Sequence, residues 1–394
     1  MSNKKLAILG IVAACMVTWA VVQSRLSNRP RTAPDTPTYL IQGLNPARID
    51  KIVVGTGDDA VTLRRSGRGF VVVNKDNYPA NTSEINNLIT SCQGIQTGQF
   101  YTDDPDNHKD LGVTRQEARN VVEFWTSEPN STLLTGVIVG NYKEQGQGTY
   151  VRTASSDKVY AAQEVPWIKN QAMDYIDQKL VVTQRENIQS VTVTSANGQY
   201  TLMAKENTDG VVLENIPAGK KLKESDAKSV LHALWDTRFT DVRKESADTK
   251  DLTFDRKYVG RLKDSTVYTF AVAKKDDKAY VTCQALFTEG RPTKVGKDES
   301  PEELKEKEAK LLADDNAQQF TARHRGWIYE IAEWKANNLT KELADLLEDV
   351  EETKPEEKET EQAESQEPEK IEEPEPESQD TEKPDDPNQL KPEL

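Results

Sequence analysis

Cysteine and histidine are scarce in this chain, with three of each among 394 residues, and that scarcity excludes much chemistry. Cys15, Cys92 and Cys283 include no closely spaced pair, so a zinc knuckle or a redox dithiol has no ligands to use. Cys15 lies in an apolar run, which leaves Cys92 with Cys283 as the one pairing open to a disulfide. Cys92 falls on the inner face of a predicted helix and reads as a small buried apolar residue. His108, His232 and His324 stand in no nucleophile elbow, zinc-ligand pair or other motif with known mechanics. Concentrated positive charge is missing too. Residues 351–394 carry 18 acidic and five basic residues, so the formal charge of −15 leaves 48 acidic against 46 basic in residues 1–350. Nucleic acid requires a basic face that this balance does not supply, and no nucleic-acid partner is expected.

One long apolar run is present, at the start. Lys4 and Lys5 precede a charge-free stretch from Leu6 to Val22, and 17 helical residues at ~1.5 Å each span about 26 Å, near the lower limit for a bilayer. Trp19 suits an interfacial anchor. Three fates fit such a segment: a cleaved signal ending at Ala13-Ala14, a lipoprotein processed at Val12-Ala13-Ala14-Cys15, or an uncleaved anchor. The apolar run continues past Cys15 through Met16, Val17 and Trp19, which favours the anchor. Residues 1–23 are therefore read as a transmembrane anchor that meets the lipid bilayer through residues 6–22. Arg25, Arg29 and Arg31 on the far side oppose Lys4 and Lys5, so the positive-inside rule does not set the orientation. A non-cytoplasmic, periplasm-like location follows from the tendency of an initial anchor to export what comes after it.

Residues 24–46, rich in Pro, Arg, Ser and Thr, read as a linker. The most informative feature comes next. Ile49-Asp50-Lys51-Ile52-Val53-Val54 matches Ile188-Gln189-Ser190-Val191-Thr192-Val193 at an offset of 139. Gly69-Phe70-Val71-Val72 matches Gly210-Val211-Val212-Leu213 at 141, and Lys109-Asp110-Leu111 matches Lys250-Asp251-Leu252 at 141. Ile85, Leu88, Ile89 and Cys92 find Ala227, Val230, Leu231 and Leu234 at 142. Offsets this steady indicate a tandem duplication. Val159-Tyr160 meets Ile328-Tyr329 only at 169, so the second copy carries about 28 extra residues around 284–315. Ser300-Pro301-Glu302-Glu303 starts a helix there, predicted over about 299–315, with Leu304, Leu311 and Leu312 on one face and Glu308 interrupting it.

Brief β-rich runs at Ile52–Val54, Val61–Leu63 and Phe70–Val73 suggest an antiparallel meander. An amphipathic helix follows at 83–93, with Ser83 as its cap. Strands resume at Val121–Phe124, Leu133–Val139, Tyr150–Thr153 and Val159–Ala161. Closing helices are expected near 165–177 and 338–350, the latter from Leu339, Leu343, Leu346, Leu347 and Val350. The fold class is α+β, a duplicated, mainly antiparallel β-sheet module with one or two packed helices per copy. The copies occupy 47–180 and 181–350. Residues 351–394, with seven prolines and no aromatic residue, read as a disordered acidic tail.

Two loops invite chemistry. Gly55-Thr56-Gly57-Asp58-Asp59-Ala60 resembles a dinucleotide-binding turn, but that motif needs a helix to begin inside it, and Val61-Thr62-Leu63 is β-like, so a hairpin fits better. Asp104-Pro105-Asp106-Asn107-His108-Lys109-Asp110 resembles a calcium loop, yet Lys109 stands at the glycine position and Arg115 at the glutamate position. Arg323-His324-Arg325 reads as a solvated hairpin edge. No catalytic, cofactor-binding or metal-ligating residue is singled out, and no cofactor is expected.

The residues Ile49-Asp50-Lys51-Ile52-Val53-Val54, Phe70-Val71-Val72, Tyr78-Pro79-Ala80-Asn81 and Leu111-Gly112-Val113 resemble a bacterial family, domain of unknown function 4340. Val137-Ile138-Val139-Gly140, Tyr150-Val151-Arg152 and Val159-Tyr160 extend the resemblance, which spans most of residues 45–350. It implies no catalytic residues. It does imply a setting beside gliding-motility-type ABC transport components. The expected function is thus a membrane-anchored envelope accessory or scaffold protein without catalytic activity. Two alternatives stay open: a carboxylate-dependent glycan hydrolase of the envelope, which needs two acids roughly 5–10 Å apart in a cleft, and a ligand-binding module with its groove between the copies.

Overall fold

Alternating apolar residues build two large antiparallel sheets in the computed structural model. It describes residues 38–350 except Glu128, Asn207 and residues 145–146, 247–248 and 291–299, together with Met16 and Trp19. The anchor read over 6–22, most of the linker and the tail at 351–394 lie outside the described residues. Among the described residues, no helix is long and apolar enough to cross a membrane.

The first half runs β1 (Thr38–Tyr39), β2 (Lys51–Val54), β3 (Val61–Ser66), β4 (Gly69–Val72), β5 (Tyr78–Pro79), α1 (Thr82–Gln93), β6 (Gln96–Thr97), β7 (Phe100–Thr102), β8 (Asn120–Trp125), β9 (Leu133–Tyr142), β10 (Thr149–Thr153) and β11 (Val159–Ala162). The second runs β12 (Lys179–Val181), β13 (Ile188–Ser195), β14 (Gly198–Ala204), β15 (Val211–Leu213), β16 (Lys220–Leu222), α2 (Glu224–Leu231), β17 (Thr237–Lys244), β18 (Arg256–Leu262), β19 (Thr266–Lys275), β20 (Lys278–Phe287), α3 (Pro301–His324), β21 (Trp327–Ile331), α4 (Glu333–Thr340) and β22 (Leu347–Asp349).

The first sheet is ordered β5-β4-β3-β2-β8-β9-β10-β11-β7. The second, read from its far edge, is β15-β14-β13-β18-β19-β20-β21-β17-β12. From β4 and β15 onward the two orders run in step for eight strands. Smaller pairings follow suit: β1 meets β6 through Thr38 with Thr97, and β12 meets β17 through Lys179 with Arg238, both positions displaced by 141.

One core runs through both halves, with Ile52, Phe124 and Val151 from the first and Val191, Tyr258 and Phe270 from the second. Helix α1 contributes Ile85, Leu88, Ile89 and Cys92, and α2 contributes Ala227, Val230 and Leu231. Each outer face carries a smaller cluster. Leu111 and Val113 pack with Val121, Ile138 and Val159 in the first half; Leu252 and Phe254 pack with Ala273, Tyr280 and Ile328 in the second. Gly140 makes the former approach feasible, since a Cβ there would lie 2.4 Å from the Leu111 carbonyl oxygen.

Local chemistry corrects several expectations. The α1 cap is Asn81, whose side-chain oxygen accepts from the Ser83 amide at 3.0 Å, and Ser83 lies inside the helix. Residues 165–177 form only a short 3₁₀ turn at Ala172–Tyr175; Pro166 pushes its predecessor away from helical geometry, and the chain buries Ile168, Tyr175 and Ile176 without a continuous helix. The second closing helix is α4, which ends at Thr340. Leu343–Leu346 form a 3₁₀ turn, and Leu347–Asp349 pair as β22 with β16, so sheet pairing overrides the helical periodicity.

The inserted helix α3 runs to His324, nine residues past its expected end. Its buried stripe is Ala313, Ala317 and His324, not the leucines. Small residues let it lie close on β20, where Thr321 Oγ1 donates to the Ala285 carbonyl at 2.7 Å and accepts from the Ala285 amide at 2.9 Å. Leu304 and Leu312 stay exposed.

Candidate functional site

The two loops singled out for chemistry are structural. At Gly55–Ala60 the Gly55 amide donates to the Val121 carbonyl at 2.8 Å, and β2 pairs directly with β3, so no helix dipole faces the turn. A hollow of about 600 Å³ adjoins it, in which the Arg115 guanidinium holds the buried Glu123 carboxylate. In the second loop Asp104 spends its side chain on the Asp106 amide at 3.1 Å. His108 is buried, its Nε2 2.9 Å from the Asp157 carbonyl oxygen. Among the described residues no three His, Cys, Asp or Glu side chains group to hold a metal ion.

His324 differs from its expected solvated position. It is buried at the end of α3 with Nδ1 2.6 Å from the Tyr329 hydroxyl, because α3 extends far enough to carry it under the sheet. Burial, assisted by Arg323, pushes its pKa down to about 4. Cys92 and Cys283 are free, buried thiols. Burial raises both, Cys92 to about 12.

The largest hollow described belongs to the second half and measures about 1230 Å³. It gathers the 3₁₀ turn Arg185–Asn187, the ends of β14 and β18, and the C-terminus of α2. Arg185, Lys205, Arg261 and Lys263 supply positive charge; Glu186, Glu206 and Asp209 supply negative charge. Asp209 is already held by Lys228 at 3.2 Å.

A second hollow of about 240 Å³ shares Arg185, Asp209 and His232 with the first and adds Trp235, Trp334 and Lys335. The Arg185 guanidinium lies 4.0 Å from the Trp235 ring centre, a cation–π contact that fixes the arginine over its floor. Lys335 is buried; its ammonium donates to the carbonyls of Ala233 at 3.1 Å and Trp235 at 2.9 Å and sits 4.8 Å from the Trp334 ring. Burial lowers Lys335 to about 8, and it lowers His232 below the usual imidazole range with help from Arg185. Exposed tryptophan faces beside fixed cations suit a ligand that is both flat and anionic.

Sequence reading named none of Arg185, Trp235, Trp334 and Lys335. They come from three separate places, the 3₁₀ turn at Arg185, the chain after α2 and helix α4, and share no common motif. The Trp334-Lys335 dipeptide was the one available signal, since a tryptophan on a polar helix face is unusual. Each hollow described is lined by a single half of the molecule.

Residues 71–257 match the family described as Domain of unknown function (DUF4340). The matched stretch begins in β4 and ends in β18, crossing from the first half into the second. No curated protein and no solved structure matches the chain.

Proposed function

The chain belongs to the domain of unknown function 4340 family, and from that premise we propose that it is a membrane-anchored envelope accessory protein that acts by binding, not by catalysis. The supporting observation is the shared strand order of its two sheets, which fits a tandem duplication of one α+β module over residues 47–180 and 181–350. A duplicated module offers related surfaces on one rigid body, an arrangement suited to scaffolding. The apolar segment at 6–22 would tether it to the bilayer, with the folded part outside the cytoplasm. The family setting makes a gliding-motility-type ABC transport complex the partner to test.

Cross-linking the tagged protein in cells, followed by mild detergent extraction and identification of what accompanies it, tests this reading. A stoichiometric permease or ATPase is the expected result. Recovery of the protein without any membrane-protein companion would overturn it.

A second reading has its own observation. The Arg185–Trp235 stack beside Trp334 and the larger hollow favour a ligand site, located in the second half and not between the halves. Titration with flat anionic compounds, read by tryptophan fluorescence, tests it. A response in the parent that disappears in Arg185→Ala would support it, and no response from the parent would remove it.

A further inference from the structure

Lys335, 4% exposed, is the one buried lysine among the described residues. Two partly buried lysines elsewhere each meet an acid. Lys75 Nζ reaches Asp241 Oδ1 at 2.6 Å across the junction between the halves, and Lys341 Nζ reaches Asp226 Oδ1 at 2.6 Å. Lys335 pairs with no carboxylate among the described residues. Its ammonium has three protons and gives two of them to the carbonyls of Ala233 and Trp235. Those carbonyls follow the end of α2 and supply partial negative charge, which does not neutralise a cation. Asp236, whose charge favours the ammonium, is itself held by Arg238 at 3.0 Å.

A second cation faces the same hollow. Arg185 is fixed over the Trp235 ring and likewise pairs with no acid among the described residues. Its charge adds to burial in lowering the pKa of Lys335. Two like charges around one small space raise its free energy, and an anion between them would relieve it. Lys228, also in the lining, is committed to Asp209 at 3.2 Å and Glu224 at 3.3 Å. Asn338 adds an amide that can donate.

The hollow of about 240 Å³ has the room of roughly eight waters at ~30 Å³ each. It admits one compact anionic group. The rest of a ligand extends past Arg185 and His232, which line this hollow and the larger one alike. The kind of anion follows from the donors. A carboxylate offers two oxygens in one plane and is satisfied by a single guanidinium fork. A phosphate monoester carries about −1.5 to −2 near pH 7 and three terminal oxygens, so it can neutralise two separate cations and leave an oxygen for Asn338.

Building on the ligand-site reading above, we propose that this hollow is a phosphate-monoester site, with the phosphoryl group held between Arg185 and Lys335 and the flat part of the ligand lying along Trp334. Trp334 is 64% exposed, so its ring is open to stacking. Glu186 and Glu206 line the larger hollow only and disfavour a second phosphate there, which restricts the ligand to one phosphorylated end.

Calorimetric titration of the full chain in detergent micelles, with phenyl phosphate and with benzoate, compares two anions on the same ring. Phenyl phosphate is expected to bind about tenfold tighter or more, the advantage of a second charge-assisted contact. Arg185→Gln and Lys335→Met should each weaken phenyl phosphate by about tenfold or more for the same reason. Arg185 is exposed, so Arg185→Gln carries the test where Lys335→Met fails to fold.

Equal affinity for the two compounds would leave the flat-anion reading standing and overturn the phosphate assignment. No binding of either would remove both. A phosphate preference that survives both substitutions would place the site elsewhere and overturn the proposal. Dihexanoyl phosphatidate, a lipid phosphate monoester, separates the sources. Weaker binding than phenyl phosphate assigns the ester to a flat soluble ligand; tighter binding would assign it to a lipid headgroup and overturn the stacked arrangement on Trp334.

Discussion

The two halves order their strands alike yet hide different surfaces. In the second half the β17–β21 pair is a buried crossroads, where Tyr329 takes Tyr78 from the first half on one side and His324 from α3 on another. In the first half the matching pair, β7–β11, ends in half-exposed aromatic residues. The second half also has a longer strand at β20, ten residues against five in its counterpart β10, and α3 covers the extra length through Ala313, Ala317 and Phe320. An antiparallel hairpin of that size would otherwise present a wide apolar face. The difference teaches that one topology can serve as a joint in one place and as an open surface in another.

The largest effect should come from the paired tyrosines. Tyr329→Ala removes a fully buried ring and should cost roughly 3–5 kcal/mol, by analogy with other buried aromatic truncations. Tyr160→Ala, at the matching place, should cost about 1 kcal/mol, because its surroundings are only partly buried. Denaturant midpoints of the two variants check this; equal losses would erase the contrast between joint and surface.

Acid sharpens the same contrast. The folded pKa of His324 is about 4 against about 6.5 unfolded. The unfolded chain therefore binds a proton that the folded chain refuses between those values. The stability from a neutral His324 is full above pH 6.5 and is lost as the pH falls toward 4, on the order of 3 kcal/mol. Denaturation of the parent and of His324→Gln across that window should show the slope in the parent and a flatter line in the variant.

A smaller effect separates the helices. Asn81 caps α1, whereas α2 starts after Lys223 with no side-chain cap. Asn81→Ala should lower stability by about 1 kcal/mol and Lys223→Asn should raise it by about 0.5 kcal/mol. Thermal melts distinguish the two signs.

The least energetic prediction concerns the thiols. Burial holds Cys92 and Cys283 protonated, so neither should react with a thiol reagent at pH 8 until the chain unfolds. Early modification of one alone would show that its half opens independently.

The strands were legible because half-buried strands alternate apolar and polar residues, as Ile52, Val54, Val191 and Val193 do. The antiparallel sheets and α+β class follow from that pattern together with the turn residues between runs. The second closing helix departs from its expected course after Thr340, because Leu339, Leu343, Leu346 and Leu347 satisfy helical spacing locally while β16 offers a pairing partner more than a hundred residues away. The true extent of α3 is obscured for a related reason: its buried stripe is Ala313, Ala317 and His324, which carry little hydropathy signal. The hollow around Arg185 was invisible because its walls come from distant strand ends and two helices, and no periodicity links them.

The account rests most on the claim that the two halves, alike in topology, are fused through the Tyr78–Tyr329 joint into one cooperative body. Scanning calorimetry of the full chain, beside the Lys75→Ala, Tyr78→Ala double variant, tests that claim directly. One transition in the parent, splitting or broadening into two in the variant, is the predicted result. Two separate transitions in the parent would contradict it, and the halves would then be neighbours on a chain without a working joint.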